Sequence, residues 1–516
     1  MYRVLESPLL GASGAHDPPV TPIIPLRELL AALPDAEVRG DATVPISGLT
    51  YRSSEAGPHF LFFCVRGTKL DGHDFAPEAV ARSAAAVLVE RWLDLPGEVT
   101  QVLVSSVRRA MGPVASAFYG RPSERMVLVG ITGTNGKTTT TYILEEVFRA
   151  AGFVPGVIGT TGARVDGRPV PLERTTPEAP DFHRLLADMV QRGVGAVAME
   201  VSSHGLDQHR VGGARYACSV FTNLSQDHLD YHGTIEEYYR AKARLFTPEM
   251  SDRAAVNFDP PEGRRLVDEI GRSLPVLTYG AAEDAEFRAT DVAVGPEGLQ
   301  FRVDGREVRS PLRGAFNVQN CLAALAAARQ VGIDDESAVR GVGTVGRIPG
   351  RFEAVDAGQP FQVLVDYAHT PDSIENVLVA ARPLAGAQRV LVVLGCGGDR
   401  DRGKRSLMGE AATRLADLTV ITSDNPRSED PVSIIAEIEP GARRGGGSYI
   451  VEPDRREAIR LALYEAGPGD VVVIAGKGHE TGQEFADRTI PFDDRVVAME
   501  ELERLGGRGN EPGIGS

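Results

Sequence analysis

The chain is 516 residues long, 42% hydrophobic and 24% charged, a globular balance that excludes a largely disordered polymer. At about 150 residues per domain it has room for three or four domains. Its 55 basic and 71 acidic side chains leave a formal charge of −16, which opposes broad binding to nucleic acid or anionic lipid but leaves a small local anion site open.

Residues 1–22, rich in Pro, Gly and small side chains, read as a flexible lead-in. Residues 23–122 read as a first α/β unit, with strands at Phe60–Val65 and Ala85–Val89 around a helix at Pro77–Ser83. Gly120-Arg-Pro-Ser-Glu124 is the expected linker, because Gly and Pro punctuate the change of pattern. The second unit, 123–345, opens with Met126–Ile131 as a buried parallel strand, then a Gly-rich turn and a helix over Thr139–Ala150. Strand-like runs at Ala196–Val201, Cys218–Leu224 and Ala254–Phe258 alternate with helical patterns, and the alanine-rich Asn317–Gln330 is expected to close the unit. In the third unit, 346–505, the runs Val363–Tyr367, Arg389–Gly395, Asp417–Ser423 and Asp470–Gly476 repeat the alternation, and Gly506–Ser516 reads as a disordered tail. Cys64, Cys218, Cys321 and Cys396 are widely separated and lack metal-ligand spacing. With no basic-then-apolar leader and no apolar run near ~20 residues, the expectation is a cytoplasmic protein.

Gly133-Thr-Asn-Gly-Lys-Thr138 sits between a predicted strand and a predicted helix. Backbone N–H groups of such a turn can close around phosphate oxygens, and the helix N-terminus adds positive potential. Lys137 can neutralise the β/γ-phosphates and Thr138 can offer its hydroxyl to Mg²⁺. Ile131 stands where the motif's first glycine is usual, and Gly130 lies one place early. The bland alternative is an ordinary glycine turn with an exposed lysine. The fold class is therefore α/β, three α/β domains in series, the central one a P-loop NTPase-like parallel sheet and the C-terminal one Rossmann-like.

Glu200 ends a strand-like run, where a carboxylate can hold Mg²⁺ or, alternatively, cap a helix. His228, in Gln226-Asp-His-Leu-Asp230, reads on its own as a hydrogen-bonded structural residue. Lys242 lies on an amphipathic helix, and on the residues alone it is a lysine snorkelling to solvent.

Longer blocks carry a resemblance. Gly133-Thr-Asn-Gly-Lys-Thr-Thr139, Met199-Glu-Val-Ser-Ser-His-Gly-Leu206, Thr222-Asn-Leu-Ser-Gln-Asp-His-Leu-Asp-Tyr-His-Gly233 and Asn317-Val-Gln-Asn320 resemble the Mur ligases, ATP-dependent amino-acid-adding enzymes of peptidoglycan synthesis. Asp366-Tyr-Ala-His-Thr-Pro371, Gly395-Cys-Gly-Gly-Asp-Arg400 and Gly476-Lys-Gly-His-Glu480 are similar to those of the MurE type. The match runs from about Tyr51 to Arg495 with the blocks in the expected order.

The resemblance implies that ATP is held by Gly133, Thr134, Asn135, Gly136, Lys137, Thr138 and Thr139, with Asn317 and Asn320 at the adenine and Arg351 and Asp366 reaching over from the third domain. It implies Mg²⁺ on Thr138, Glu200, His228 and Lys242, the last carbamylated by CO₂, and catalytic parts for Lys137, Lys242 and His228. The implied acceptor, UDP-N-acetylmuramoyl-L-alanyl-D-glutamate (UDP-MurNAc-L-Ala-D-Glu), falls to Ser53, Thr175, Thr176, Ser202, Gln208 and Arg210. Around Ser53 the sequence departs from the family's Asp-Ser-Arg, reading Tyr51-Arg-Ser-Ser54, followed by Gly67-Thr-Lys-Leu-Asp-Gly72. The added amino acid falls to Arg400, Asp424, Asn425, Pro426, Arg427, Gly476 and Glu480. Asp424-Asn-Pro-Arg427 resembles the form of meso-diaminopimelate enzymes, where a guanidinium matches the distal carboxylate that lysine lacks. No nucleic-acid or membrane partner is expected, and the chain is expected to be a monomer. The rivals are a lysine-adding ligase, a folylpolyglutamate synthetase, and a binding protein switched by nucleotide.

Overall fold

A computed structural model describes residues 22–508 apart from 68, 69, 173 and 296. Nearly all of the expected lead-in, residues 1–21, and the end of the expected tail, 509–516, lie outside the described residues. The chain divides into two compact units after Gly120.

In the first unit, Gly48–Thr50, Phe60–Phe63, Ala86–Val89 and Thr100–Leu103 run parallel, and Glu37–Arg39 pairs antiparallel with the last of them. Phe62, Cys64, Val87 and Val89 form the core with Ala76 and Ala79. The helix spans Ala76–Ala81, one residue earlier than expected, and starts with Pro77 in its first turn, where the missing N–H costs nothing.

The second unit holds two large sheets. The first contains β1 (Val127–Thr132), β2 (Pro155–Gly159), β3 (Gly162–Val165), β4 (Arg168–Val170), β5 (Ala196–Glu200), β6 (Cys218–Phe221), β7 (Ala254–Asn257), β8 (Val276–Gly280) and β9 (Phe287–Arg288). Their spatial order is β4-β3-β2-β5-β1-β6-β7-β8-β9. The pairs from β2 through β9 in that order are parallel, and only β3 is reversed, antiparallel to both β2 and β4. Val129, Ile131, Ala196 and Ala198 pack on one face, while Leu128, Val197 and Met199 pack on the other. Two covered faces explain why these strands read as unbroken apolar runs rather than alternating ones. Helix α1 (Lys137–Ala150) follows β1 directly, α2 (Ile235–Ala243) follows β6, and α3 (Phe316–Gln330) lies against the core of the first face.

α3 is not the closing helix that the sequence suggests. A further helix, Asp335–Thr344, follows it, and Gly341 lets that helix lie against Val147 of α1, where a Cβ would collide with backbone. The sequence pattern also misses an antiparallel three-stranded sheet, Thr290–Gly295, Gly298–Val303 and Arg306–Ser310, in which Leu299, Phe301 and Val303 turn inward.

The last sheet has the order β10-β11-β15-β12-β13-β14: β10 (Glu353–Val355), β11 (Gln362–Asp366), β12 (Val390–Cys396), β13 (Leu418–Ser423), β14 (Ser448–Val451) and β15 (Val471–Ala475). All pairs but β10–β11 are parallel, and both faces are again covered. Residues 506–508 continue the helix Asp494–Arg508 instead of belonging to a tail. Val497, Ala498 and Leu502 pack that helix on the sheet, and this packing outweighs the poor helix propensity of its two late glycines.

A buried ion pair ties the strand ends of this sheet together. Arg455 and Asp494 have no exposed side-chain surface and meet through two bonds, Nε–Oδ1 at 2.8 Å and Nη2–Oδ2 at 2.7 Å. The same guanidinium donates to the carbonyls of Ser423, closing β13, and Ala475, closing β15, at 3.2 and 2.9 Å. Arg455→Met should lower stability to urea by about 3–5 kcal/mol, because it leaves Asp494 buried without its cation. Arg455→Met/Asp494→Leu should recover most of that loss; equal losses in the single and double variants would refute this account.

Candidate active site

β1 ends in a turn built for close approach. Gly133 and Gly136 have φ of 147° and 87°, and a Cβ on them would collide with Thr222 Oγ1 and Asn320 Oδ1 respectively. The turn is held from one side: Thr134 N donates to Asn223 O at 3.0 Å, Asn135 N to Asn223 Oδ1 at 2.9 Å, and Thr222 Oγ1 to Asn135 O at 2.6 Å. α1 then begins at Lys137 with no side-chain cap, so its first-turn N–H groups are available to an anion. Thr138 and Thr139 are buried in that turn. Asn317 and Asn320 pair at 2.7 Å on the first turn of α3, with Asn320 against Gly136.

Two ammonium groups meet at this loop. Lys137 Nζ donates to Gly133 O at 2.9 Å and Thr134 O at 2.8 Å, while Lys242 Nζ donates to the same Gly133 O at 2.8 Å. The solvent-seeking reading of Lys242 is thus corrected: its side chain is buried on the face of α2 that also carries Tyr238, with Nζ 4.3 Å from that ring's centre. Burial, with Lys137 adding like-charge repulsion, pushes the Lys242 amine well below its ordinary value. Burial lowers Lys137 as well, partly offset by Glu200 and Asp227.

Glu200 is buried at the end of β5 and accepts from Thr160 N and Thr160 Oγ1, both at 2.9 Å. The capping alternative for it fails, because Ser202 caps the next helix through Gly205 N at 3.0 Å. His228 sits in the left-handed region at φ 54°, its Nε2 3.3 Å from Asp227 Oδ2 and its ring 4.8 Å from that of His204. Burial pushes its pKa down to about 3, so the imidazole is neutral at pH 7. Among the described residues no three His, Cys, Asp or Glu side chains gather into a cage. The hydroxyl of Thr138, the buried carboxylate of Glu200 and the neutral imidazole of His228 are donor types that a hard cation accepts beside phosphate and water.

The C-terminal sheet completes this loop. Arg351 Nη2 donates to Thr138 Oγ1 at 2.8 Å, and its guanidinium lies 4.6 Å from the centre of the Tyr367 ring. Asp366 spends both oxygens on its own segment, accepting from Phe352 N at 2.7 Å and Ala368 N at 2.8 Å, and burial raises its pKa. It thereby shapes the backbone that carries Arg351. Asn135 Nδ2 donates to Asp372 Oδ2 at 2.8 Å, and Lys404 Nζ to Asp227 Oδ1 at 3.2 Å. Burial alone would raise Asp227, but His369, Lys404 and His228 hold it well below the usual carboxylate range. Sequence reasoning singled out neither Asp227 nor Lys404; the signal was their place in Gln226-Asp-His and beside Arg400, blocks read only for their neighbours.

Thr176, Ser202, Gln208 and Arg210 form one cluster: Ser202 N and Oγ both lie 3.1 Å from Thr176 Oγ1, and Arg210 donates to Thr176 O at 3.2 Å and Gln208 Oε1 at 2.7 Å. Thr175 joins through Thr160 Oγ1 at 3.3 Å. Ser53, in the first unit, donates to Glu78 Oε2 at 2.7 Å.

A third group lies at the C-terminal ends of β12, β13 and β15. Arg427, at φ 51°, donates through Nη1 to Gly398 O at 2.9 Å, and its Nε forms an ion pair with Glu484 Oε2 at 2.8 Å. Asn425 Nδ2 donates to Glu480 Oε2 at 2.8 Å, and Asp424 Oδ1 accepts from Asn425 N at 2.7 Å. Pro426 O accepts from Glu429 N at 3.0 Å. Gly476, at φ 116°, allows the approach of Asp424 Oδ2, which a Cβ would block. Arg400 is exposed and donates to Asp399 O at 2.9 Å. A cavity of about 490 Å³ opens beside the group, lined by Glu480, Thr481, Gly482, Glu484 and Thr489–Pro491.

Three family models match the chain: "Mur ligase family, catalytic domain" over residues 45–119, "Mur ligase middle domain" over 131–328, and "Mur ligase, glutamate ligase domain" over 350–478. A relative from Geobacillus thermodenitrificans (strain NG80-2), named UDP-N-acetylmuramoyl-L-alanyl-D-glutamate--2,6-diaminopimelate ligase, is 48% identical over 92% of this chain and 98% of its own. A solved structure of an enzyme with that name is 33% identical, covering 93% of this chain and 99% of its own at a TM-score of 0.66. The MurF ligase of Thermotoga maritima in complex with ADP shares the fold at 21% identity and a TM-score of 0.61, covering 89% of this chain and 98% of its own.

The loop geometry is directly testable. Gly133→Ala should weaken binding of a non-hydrolysable ATP analogue roughly tenfold or more in calorimetry, because the backbone is strained and the turn is forced away from Thr222. Unchanged affinity would refute the loop's assignment to phosphate.

Proposed function

The chain belongs to the Mur ligase family, and we propose that it joins meso-2,6-diaminopimelate to the D-glutamyl γ-carboxylate of UDP-MurNAc-L-Ala-D-Glu, driven by ATP, in peptidoglycan precursor synthesis. The observation that carries this reading is that a phosphate loop, completed by Arg351, shares one unit with an arginine pocket at Arg427.

The acceptor γ-carboxylate attacks the γ-phosphorus of ATP, giving an acyl phosphate and ADP. The amine of diaminopimelate then attacks the acyl carbon, and the tetrahedral intermediate expels phosphate. Two anions must approach in the first step, so Lys137, Arg351 and the α1 N-terminus offset the charge that accumulates on the phosphoryl oxygens. Thr175, Thr176, Ser202, Gln208 and Arg210 hold the acceptor, with Arg210 facing its carboxylate, and Ser53 serves its uridine end. Arg427 receives the distal carboxylate of the amino acid, Glu480 its distal ammonium, and Arg400, Asp424, Asn425, Pro426 and Gly476 shape the pocket.

Thr138, Glu200 and His228 would hold Mg²⁺, which supplies charge neutralisation between triphosphate and acceptor. Burial beside Lys137 favours the uncharged Lys242 amine, the form that adds CO₂, and a carbamate there would stand as an anion opposite Lys137. We further place the domains at 23–122, 123–345 and 346–505, and assign the protein to the cytoplasm as a monomer. Among the described residues no helix is long and apolar enough to cross a membrane.

ADP release should require UDP-MurNAc-L-Ala-D-Glu and meso-diaminopimelate together, with L-lysine a poor substitute. Equal turnover with lysine overturns the specificity, and release indifferent to both acceptors overturns the ligase reading. Arg427→Ala should cut kcat/KM for diaminopimelate roughly 30-fold or more while leaving KM for ATP nearly unchanged. Lys242→Ala should lose most activity and regain part of it with added formate or acetate; full activity without either would remove the carbamate from the account.

A further inference from the structure

Lys477 lies within the Gly476–Glu480 turn, yet none of the roles above uses it. Its side chain is wholly buried, which for a lysine demands specific partners. Nζ donates to Asn425 Oδ1 at 2.9 Å and to Glu480 Oε2 at 3.1 Å. Asn425 closes the ring by donating from Nδ2 to that same Glu480 oxygen, while its Oδ1 also accepts from Glu484 N at 3.0 Å. Gly476 and Gly478, at φ 116° and 54°, bend the chain so that Lys477 points inward while Glu480 returns to the pocket edge, its N donating to Lys477 O at 2.9 Å.

A purely structural buried ammonium could be satisfied by backbone carbonyls. Here both partners are side chains of the two pocket segments, one after β13 and one after β15, and they converge on a single oxygen. Glu480 keeps 31% of its side chain exposed, and no hydrogen bond to Oε1 is seen among the described residues.

We propose that Lys477 is a positioning residue for the added amino acid, clamping one oxygen of Glu480 inside the protein so that the other meets the distal ammonium of the diamino acid. The inference rests on the pocket reading given above. Without the clamp, Glu480 would sample many rotamers at the surface and its preorganisation towards the ammonium would be lost.

The test compares meso-diaminopimelate with 2-aminopimelate, which keeps both carboxylates but lacks the distal ammonium. Wild type should prefer diaminopimelate in kcat/KM by roughly tenfold or more. Lys477→Met should lose most of that preference, through KM for the amino acid, with KM for ATP and the UDP-dipeptide within about twofold of wild type. Glu480→Gln should lose the preference too, and the double variant should resemble Glu480→Gln, because both changes remove one interaction. Should Lys477→Met fail to fold, Lys477→Arg, which keeps the charge but alters its geometry, should show an intermediate preference. Retained preference in either Lys477 variant, equal loss for both amino acids, or effects that add to those of Glu480→Gln overturn the inference alone. A wild type that accepts no diaminopimelate overturns the functional reading and the inference with it.

Discussion

Two lysines sharing one carbonyl oxygen set the terms for the rest of the catalytic unit. Lys137 and Lys242 both donate to Gly133 O, the first partly buried and the second almost wholly so. Such an arrangement is tolerable only if anions stand nearby or if an amine gives up its proton. Carboxylates stand near the first lysine, and burial weakens the second one's hold on its proton. Glu200 and Asp227 act on Lys137 from the ends of neighbouring strands, and the Lys242 amine is displaced far from its ordinary value. Asp227 in turn draws His369 and Lys404 from the C-terminal sheet. The electrostatics of the phosphate loop therefore extend into the contact that brings Arg351 onto Thr138. One set of charges thus joins the glycine turn after β1 to segments of the C-terminal sheet.

Much of the fold was legible because both large sheets are covered on two faces. The runs 127–131, 196–199 and 471–475 have to be apolar throughout, and that signal survives in a single sequence. What escaped was structure whose signal is weak or non-local. The antiparallel strands Gly162–Val165 and Arg168–Val170 are short, and Asp335–Thr344 contains two glycines that look like breakers until Gly341 is seen against α1. The strand, glycine turn and helix around Gly133 and Gly136 were legible because they are consecutive in the chain. Lys242 was not, because helical periodicity places a lysine on a face without saying whether that face meets solvent or a buried carbonyl. Asp227 and Lys404 were invisible for a related reason: their partnership spans 177 residues.

The same logic recurs in the amino-acid pocket. Arg455 gathers the carbonyl ends of β13 and β15 around a carboxylate with no exposure, and Lys477 ties the segments that follow those two strands. On the proposed reading these loops hold a flexible zwitterion, and polar, open faces of that kind cannot rely on apolar packing. Buried cations fix them from beneath, each satisfied by several acceptors so that its desolvation is offset.

This layering explains how a chain of net charge −16 can serve ligands that are themselves anionic. Surface acids are screened by salt within about 8–10 Å, whereas charges inside the fold act at short range through a medium that screens them poorly. Placing Lys137, Arg351 and Arg427 near strand and helix ends, each beside a carboxylate, carbonyl or hydroxyl that orients it, makes local potential independent of global charge. The pairing of Arg427 with Glu484 carries that idea one step further. A guanidinium that already shares one edge with a carboxylate keeps the planar orientation an incoming carboxylate needs, and offers its remaining N–H groups to it. On the proposed reading, an amino acid lacking that second carboxylate would leave those donors without a partner, and the desolvation of that guanidinium edge would disfavour lysine.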